Sequence, residues 1–255
     1  PLNREKLWHW MDQMSTFGHA LAEHQSGVVD CALWDLAGQK ADLPVYQLLG
    51  GTREQIEAYA STFPNLGGPE VYVDLARDCV ARGYKAFKVH ANICWDPHIP
   101  GPAPQLPGFP REDVEICSAV REAVGWDFDI GIEIHRNMAP GQSVVFAQQI
   151  EKFLPYFYED PIAPDSVMSM GLVGDKINLP LAIGERNNTL WEFREYCTLP
   201  GVNFLKPDIG LAGGFTHVKK IAAVAESFHQ RILPHHFLGP IANMALTHIA
   251  TATPN

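Results

Sequence analysis

A chain of 255 residues that is 46% hydrophobic and 19% charged has the composition of an ordinary globular protein, long enough to bury a large core. Its formal net charge of −10, with no run of Lys or Arg, argues against nucleic acid and anionic membrane as partners. No apolar run approaches the ~20 residues of a membrane span, and the five scattered cysteines (Cys31, Cys79, Cys94, Cys117, Cys197) form no CxxC, which points to reduced thiols in a cytoplasmic protein rather than to a disulfide frame or a zinc finger.

Residues 1–50 read as helical. In SGVVDCALWDLAGQKADLPVYQLLGG the apolar residues Val28, Val29, Ala32, Leu33 and Leu36 recur at helical spacing, and Gly50-Gly51 stops the segment. From residue 53 short β-rich runs alternate with amphipathic stretches. The runs are 56–62, 86–91, 129–135, 157–161, 180–185, 203–208 and 231–235. Between them, 111–124 carries Ile116, Val120, Ala123 and Val124 on one helical face, and 214–228 carries Val218, Ile221, Ala222, Ala225 and Phe228. This alternation predicts a parallel sheet with helical crossovers. Seven such runs suit a (β/α) barrel over 53–255, its eighth strand expected just past residue 252. The segment 92–110 breaks the rhythm. It holds six prolines between Pro97 and Pro110, cannot be helix or central strand, and reads as a long functional loop.

Barrel active sites form where strands run into the following loops. Those ends carry Lys88 and His90, Glu133 and His135, Glu159, Glu185, Asp208 and His235. A lone strand-end carboxylate is ordinarily a cap or a solvated tip, but six successive strands each supply a titratable group here. Glu133, Glu159 and Glu185 are each 26 residues apart, close to the length of one barrel βα repeat, which suggests equivalent positions on adjacent strands. Crowded carboxylates would raise one another's pKa. A hard divalent cation removes that conflict, and an all-oxygen set suits Mg²⁺. Asp208 and His235 end consecutive strands. An Asp that accepts from one ring nitrogen orients a His and raises its basicity, making His235 a candidate general base. Strand alternation puts His135 on the face of Glu133, as a candidate general acid. His236 points away. His9, His19, His24, His217, His229 and His248 lie in helical stretches and read as surface or packing residues, and His98 lies in the proline-rich loop.

Several motifs resemble the mandelate racemase/muconate lactonizing group of the enolase superfamily. VVDCALWDLAGQKADLPVYQLLGG is similar to that group's helical signature. FKVH stands where the group has Lys-x-Lys, and YEDP and AIGE are similar to its second and third metal-ligand motifs. KPDIGLAGGFTHVKKIAAVAE resembles its Asp-bearing strand, Gly-Gly turn and helix, and LPHHFLGPI its catalytic-His motif. Within the group the chain is most similar to acid-sugar dehydratases of the galactonate and mannonate type, because His135 follows the first ligand by two residues where racemases usually carry Asn.

The resemblance implies a (β/α)7β TIM-type barrel preceded by a mostly absent N-terminal α+β capping domain, of which 1–52 would be the remnant. It implies Mg²⁺ on Glu133, Glu159 and Glu185, with Lys88 and His90 binding substrate. His235, supported by Asp208, would remove the proton α to a carboxylate, and His135 would help the 3-hydroxyl leave, giving a 2-keto-3-deoxy acid. It implies a small-molecule acid-sugar partner and a homo-oligomer. Two positions depart from the family: Glu133 replaces the usual Asp, and His90 replaces the second Lys that racemases use as a base. The alternatives are a racemase or epimerase using His235 with His90 or His135, and a non-catalytic homologue that keeps the metal site. A metal-dependent hydrolase barrel would carry His-x-His on its first strand, where AYAST has none.

Overall fold

The computed structural model describes residues 3–9, 23–51, 53–92, 109–237 and 239–255. The expected loop thus lies outside the described residues except at its two ends, together with Cys94, His98 and His19. The chain divides into two compact units, one of Glu57–Ile183 with Leu199–Val202, the other of Pro1–Ile56, Gly184–Thr198 and Asn203–Asn255.

Seven strands form one sheet in strict chain order: β1 (Ala60–Ser61), β2 (Ala86–His90), β3 (Asp129–Glu133), β4 (Phe157–Glu159), β5 (Leu181–Ile183), β6 (Val202–Leu205) and β7 (Arg231–Ile232). The pairings β1–β2, β2–β3, β3–β4, β4–β5 and β6–β7 are all parallel. Sequential parallel order with a helix on each of the six connections is the topology of a (β/α) barrel. Every strand is shorter than its sequence run, most of all the first, where 56–62 contracts to two residues. No eighth strand occurs among the described residues, although Asn255 accepts the amide of Ile232 at 3.4 Å beside β7.

In the first unit β2 buries Phe87, Lys88 and Val89 in succession, so both of its faces are covered, as a parallel sheet requires. Helices α1 (Pro69–Ala81), α2 (Arg111–Val124) and α3 (Pro140–Ile150) cover this sheet with Tyr72, Ala76, Ile116, Val120, Phe146 and Ile150, all essentially inaccessible. Gly131 on β3 is a packing requirement. A Cβ there would lie 2.3 Å from the Phe157 ring of the neighbouring strand.

In the second unit the helix Gly214–Ser227 buries Val218, Ile221, Ala222 and Ala225 as its period predicts, but Phe228 ends up 44% exposed at its C-cap. The helix Glu23–Ala41 forms where expected, yet its apolar stripe is not the buried one. Val28, Val29 and Leu36 are exposed, and the helix instead packs through Gly27, Asp30 and Trp34. Asp30 accepts the Thr216 amide at 2.9 Å and its hydroxyl at 2.6 Å, and Trp34 donates its indole N–H to the same hydroxyl. Specific polar contacts, not apolar area, chose this face.

His217 is a packing residue, as expected, and sits against Trp8 with ring centroids 5.0 Å apart. Its Nε2 accepts the Leu190 amide at 3.0 Å. Burial, then the nearby Lys220 ammonium, holds its pKa down at about 4 against a backbone hydrogen bond to Ala212. A His neutral in the fold but protonated when unfolded supplies stability that is complete above its ordinary pKa of 6.5 and is lost as pH falls toward 4. We expect on the order of 3 kcal/mol to go across that window. His217→Gln should flatten this limb of a pH-dependent melting curve, and an unchanged limb would assign the acid sensitivity elsewhere.

Candidate active site

The first unit gathers five of the expected residues. Parallel register sets His90 beside Glu133 and Glu133 beside Glu159, so these side chains share one face at the C-terminal strand ends. Glu133 and Glu159 are fully buried and Lys88 is 5% exposed. The Lys88 ammonium donates to Glu133 Oε2 and to Glu159 Oε1, each at 2.9 Å. Burial works against that charge. The Glu133 and Glu159 carboxylates outweigh it and hold the lysine well above its ordinary pKa. The Tyr59 ring lies 5.9 Å from the same ammonium. His90 places Nε2 at 3.9 Å from Glu133 and Nδ1 at 3.4 Å from the Ser61 hydroxyl.

His135 reaches this group by a route that alternation does not describe. β3 stops at Glu133, and His135 and Arg136 both take left-handed conformations, with φ of 53° and 69°. The chain turns rather than extends. The His135 amide donates to Glu133 Oε1 at 2.8 Å, and the ring comes to 6.2 Å from that of His90.

The second unit gathers the other three. Asp208 and His235 form an isolated parallel bridge just past β6 and β7. Asp208 Oδ2 accepts from His235 Nδ1 at 2.9 Å, and its Oδ1 accepts the amides of Gly210 and Leu211. Burial pushes the Asp208 carboxyl up, but the His235 hydrogen bond and charge, with the two amides, bring it below its ordinary value. Its contribution to stability is therefore in place above the ordinary carboxylate pKa and is lost only as pH falls through the lower folded value. With Nδ1 committed, His235 turns Nε2 to Glu185 Oε2 at 3.3 Å. His236 is exposed.

Glu185 corrects the spacing argument. The register partner of Glu159 on β5 is Ala182, three residues earlier. Equal sequence spacing did not mean equal register. β5 ends at Ile183, and Gly184 at φ 122° redirects the chain before Glu185. A Cβ at Gly184 would approach the Phe193 ring at 2.5 Å, so glycine is needed there for both reasons. Glu133 and Glu159 of the first unit are inaccessible and Glu185 of the second is 4% exposed, and each of the three offers carboxylate oxygens. The donor set fits a hard divalent cation. It is all oxygen, and two buried carboxylates face one ammonium at Lys88.

Sequence reasoning passed over Lys206, Arg136 and Asp160. Lys206 is completely buried two residues before Asp208, a signal present in KPD as two charged residues on one face of a strand. Asp160 follows Glu159 in YEDP and pairs with Arg136 at 3.3 Å. Nothing in the sequence ties those two together. Burial raises the Cys31 thiol to about 12 and the Cys197 thiol to about 11, and the four described cysteines are free.

Comparison with known proteins decides the family. The profile described as "Enolase C-terminal domain-like" matches residues 71–255, and that of the "Mandelate racemase / muconate lactonizing enzyme, N-terminal domain" matches residues 1–50. The chain belongs to the mandelate racemase/muconate lactonizing group of the enolase superfamily. A D-galactonate dehydratase of Verminephrobacter eiseniae is 31% identical, over 98% of this chain and 64% of its own length. A D-mannonate dehydratase of a Sphingomonas species is 30% identical, over 89% of this chain and 61% of its own length. The chain thus spans under two thirds of the length of these relatives. The crystal structure of a member of the enolase superfamily from Salmonella typhimurium superposes with a TM-score of 0.91 at 32% identity, covering all of this chain and 70% of that one.

Proposed function

We propose that this enolase-superfamily chain is the catalytic part of a Mg²⁺-dependent acid-sugar dehydratase, a hydro-lyase acting on an aldonate or aldarate. The observation that carries the reading is His235, oriented by Asp208 on one nitrogen and facing the buried Glu185 with the other. A base set beside a metal-ligand carboxylate is placed to take the proton α to a carboxylate held there. The similarity to D-galactonate and D-mannonate dehydratases supports the substrate class.

Glu133, Glu159 and Glu185 would hold Mg²⁺, which when bound would anchor the substrate carboxylate and lower the cost of removing the adjacent proton. Lys88, buried among carboxylates, and His90 bind the substrate. His235 Nε2 takes the α-proton. The bond from the β-carbon to its hydroxyl breaks, and His135 protonates the departing group, so that water leaves and a 2-keto-3-deoxy acid results. We also infer a cytoplasmic homo-oligomer with 1–52 as capping domain and linker and 53–255 as barrel. No described helix is long and apolar enough to cross a membrane.

Incubation with a panel of aldonic and aldaric acids and Mg²⁺ should release a 2-keto acid, detected by semicarbazide, and EDTA should abolish the signal. Absence of turnover across the panel by the full-length protein would sink the dehydratase reading. Exchange of the α-proton without water loss would replace it with an epimerase, and Mg²⁺ binding without exchange with a non-catalytic homologue.

A further inference from the structure

The pair His135-Arg136 carries information that the proposed reaction does not use. Arg136 Nη2 lies 2.6 Å from His135 Nε2. A guanidinium has no acceptor atom and never loses its charge in a protein, so every contact it makes to nitrogen is as donor. His135 Nε2 must then be the acceptor. A ring whose Nε2 accepts is neutral and carries its single proton on Nδ1.

The guanidinium is itself held. Arg136 Nη1 donates to Asp160 Oδ2 at 3.3 Å, and the Arg136 amide donates to the Asp160 carbonyl at 2.8 Å. The backbone is shaped for this contact. His135, Arg136 and Asp160 all have positive φ, of 53°, 69° and 39°, in side chains that rarely adopt it. Each such residue costs on the order of 1–3 kcal/mol, and such residues persist where surrounding contacts overdetermine them, commonly at functional sites. Here the contacts are the His135 amide on Glu133, the double link from Arg136 to Asp160, and a bridge between Asn137 and Ile162.

We infer that Arg136, clamped by Asp160, is a positioning residue that fixes His135 as the neutral tautomer with its proton on Nδ1. The proton that His135 offers is therefore the one on Nδ1. The guanidinium at Nε2 stabilises the negative charge that grows on the ring as that proton is shared. A neutral imidazole backed by a fixed positive group works as an electrophile without first being protonated. The part of this inference that concerns the leaving hydroxyl rests on the dehydratase reading, whereas the tautomer does not.

The test is ¹⁵N NMR of ¹⁵N-histidine-labelled protein at neutral pH, with and without Mg²⁺, His135 being assigned by its loss in His135→Gln. The expected spectrum has Nδ1 protonated and Nε2 bare. Arg136→Gln should move the proton to Nε2 or yield the doubly protonated ring. Should Arg136→Gln not fold, judged by circular dichroism, the wild-type spectrum alone decides. A wild-type His135 with Nε2 protonated overturns the inference, as does an Arg136→Gln spectrum identical to wild type. If a substrate is found, Arg136→Gln should lower kcat by about 10- to 100-fold with KM nearly unchanged, whereas a merely structural role would lower the melting temperature and leave the kcat of the folded fraction intact. Failure to find any substrate would remove the dehydratase reading and leave the NMR result standing.

Discussion

His235→Asn is expected to slow exchange of the α-proton of an acid-sugar substrate by about 10²- to 10⁴-fold, the usual contribution of a positioned general base. The measurement is deuterium incorporation at the α-carbon in D₂O with Mg²⁺, followed by ¹H NMR. It reads proton removal itself, whatever happens to the hydroxyl afterwards. Asparagine keeps a donor near Asp208, so the buried carboxylate, which takes 2.9 Å and 2.8 Å hydrogen bonds from His235 and Gly210 in the parent chain, is not stripped of partners. Any loss of rate is then attributable to the base. Because Nδ1 is bound to Asp208, only Nε2 can take the proton, and it is the nitrogen directed at Glu185. Exchange at the wild-type rate in His235→Asn would remove this residue from the role and leave His90 or His135 to be tested in its place.

Lys88→Met is expected to destabilise the metal-free protein by about 3–5 kcal/mol, the usual cost of deleting one partner of a buried ion pair. For a chain of this size that is a drop of roughly 2–4 °C in Tm per kcal/mol. The reason is the charge count. Glu133 and Glu159 are inaccessible to water, and Lys88 donates to both at 2.9 Å. Without the ammonium two carboxylates face each other across neighbouring strands in register. Added Mg²⁺ should then restore far more stability to the variant than to the parent, because a divalent cation supplies the missing positive charge and no lysine competes for the oxygens. Thermal melts in EDTA and in Mg²⁺ give all four values. Equal Tm shifts on adding Mg²⁺ to the two proteins would show that the Lys88 ammonium and the metal do not share these carboxylates.

Much of this protein is legible in its sequence because the deciding interactions are local. Strand–helix alternation is written in the apolar period of each segment, and the crossover that makes neighbouring strands parallel follows from the helix between them. Asp208 and His235 could be paired from sequence because each lies just past its own strand, where consecutive strands deliver side chains to one edge. Glu133 and Glu159 share a register for the same reason.

Other features came only from the folded chain. The helix Glu23–Ala41 has an apolar stripe that its period marks as the buried face, but Asp30 and Trp34 bond to Thr216, 186 and 182 residues away, and turn the stripe outward. Glu185 is spaced like its two predecessors, yet the β4–β5 pairing puts Ala182 opposite Glu159, and Gly184 at φ 122° then turns the chain before Glu185. His135 lies next to Glu133 through a left-handed turn, a conformation uncommon outside glycine and held here by contacts from Glu133 and Asp160. Its tautomer depends on an arginine that a sequence reading has no reason to single out. Period and spacing determine which elements form and which chemical groups lie at their ends. Orientation, register past a strand's end and protonation depend on partners distant in sequence, and only tertiary packing brings those partners within hydrogen-bond reach.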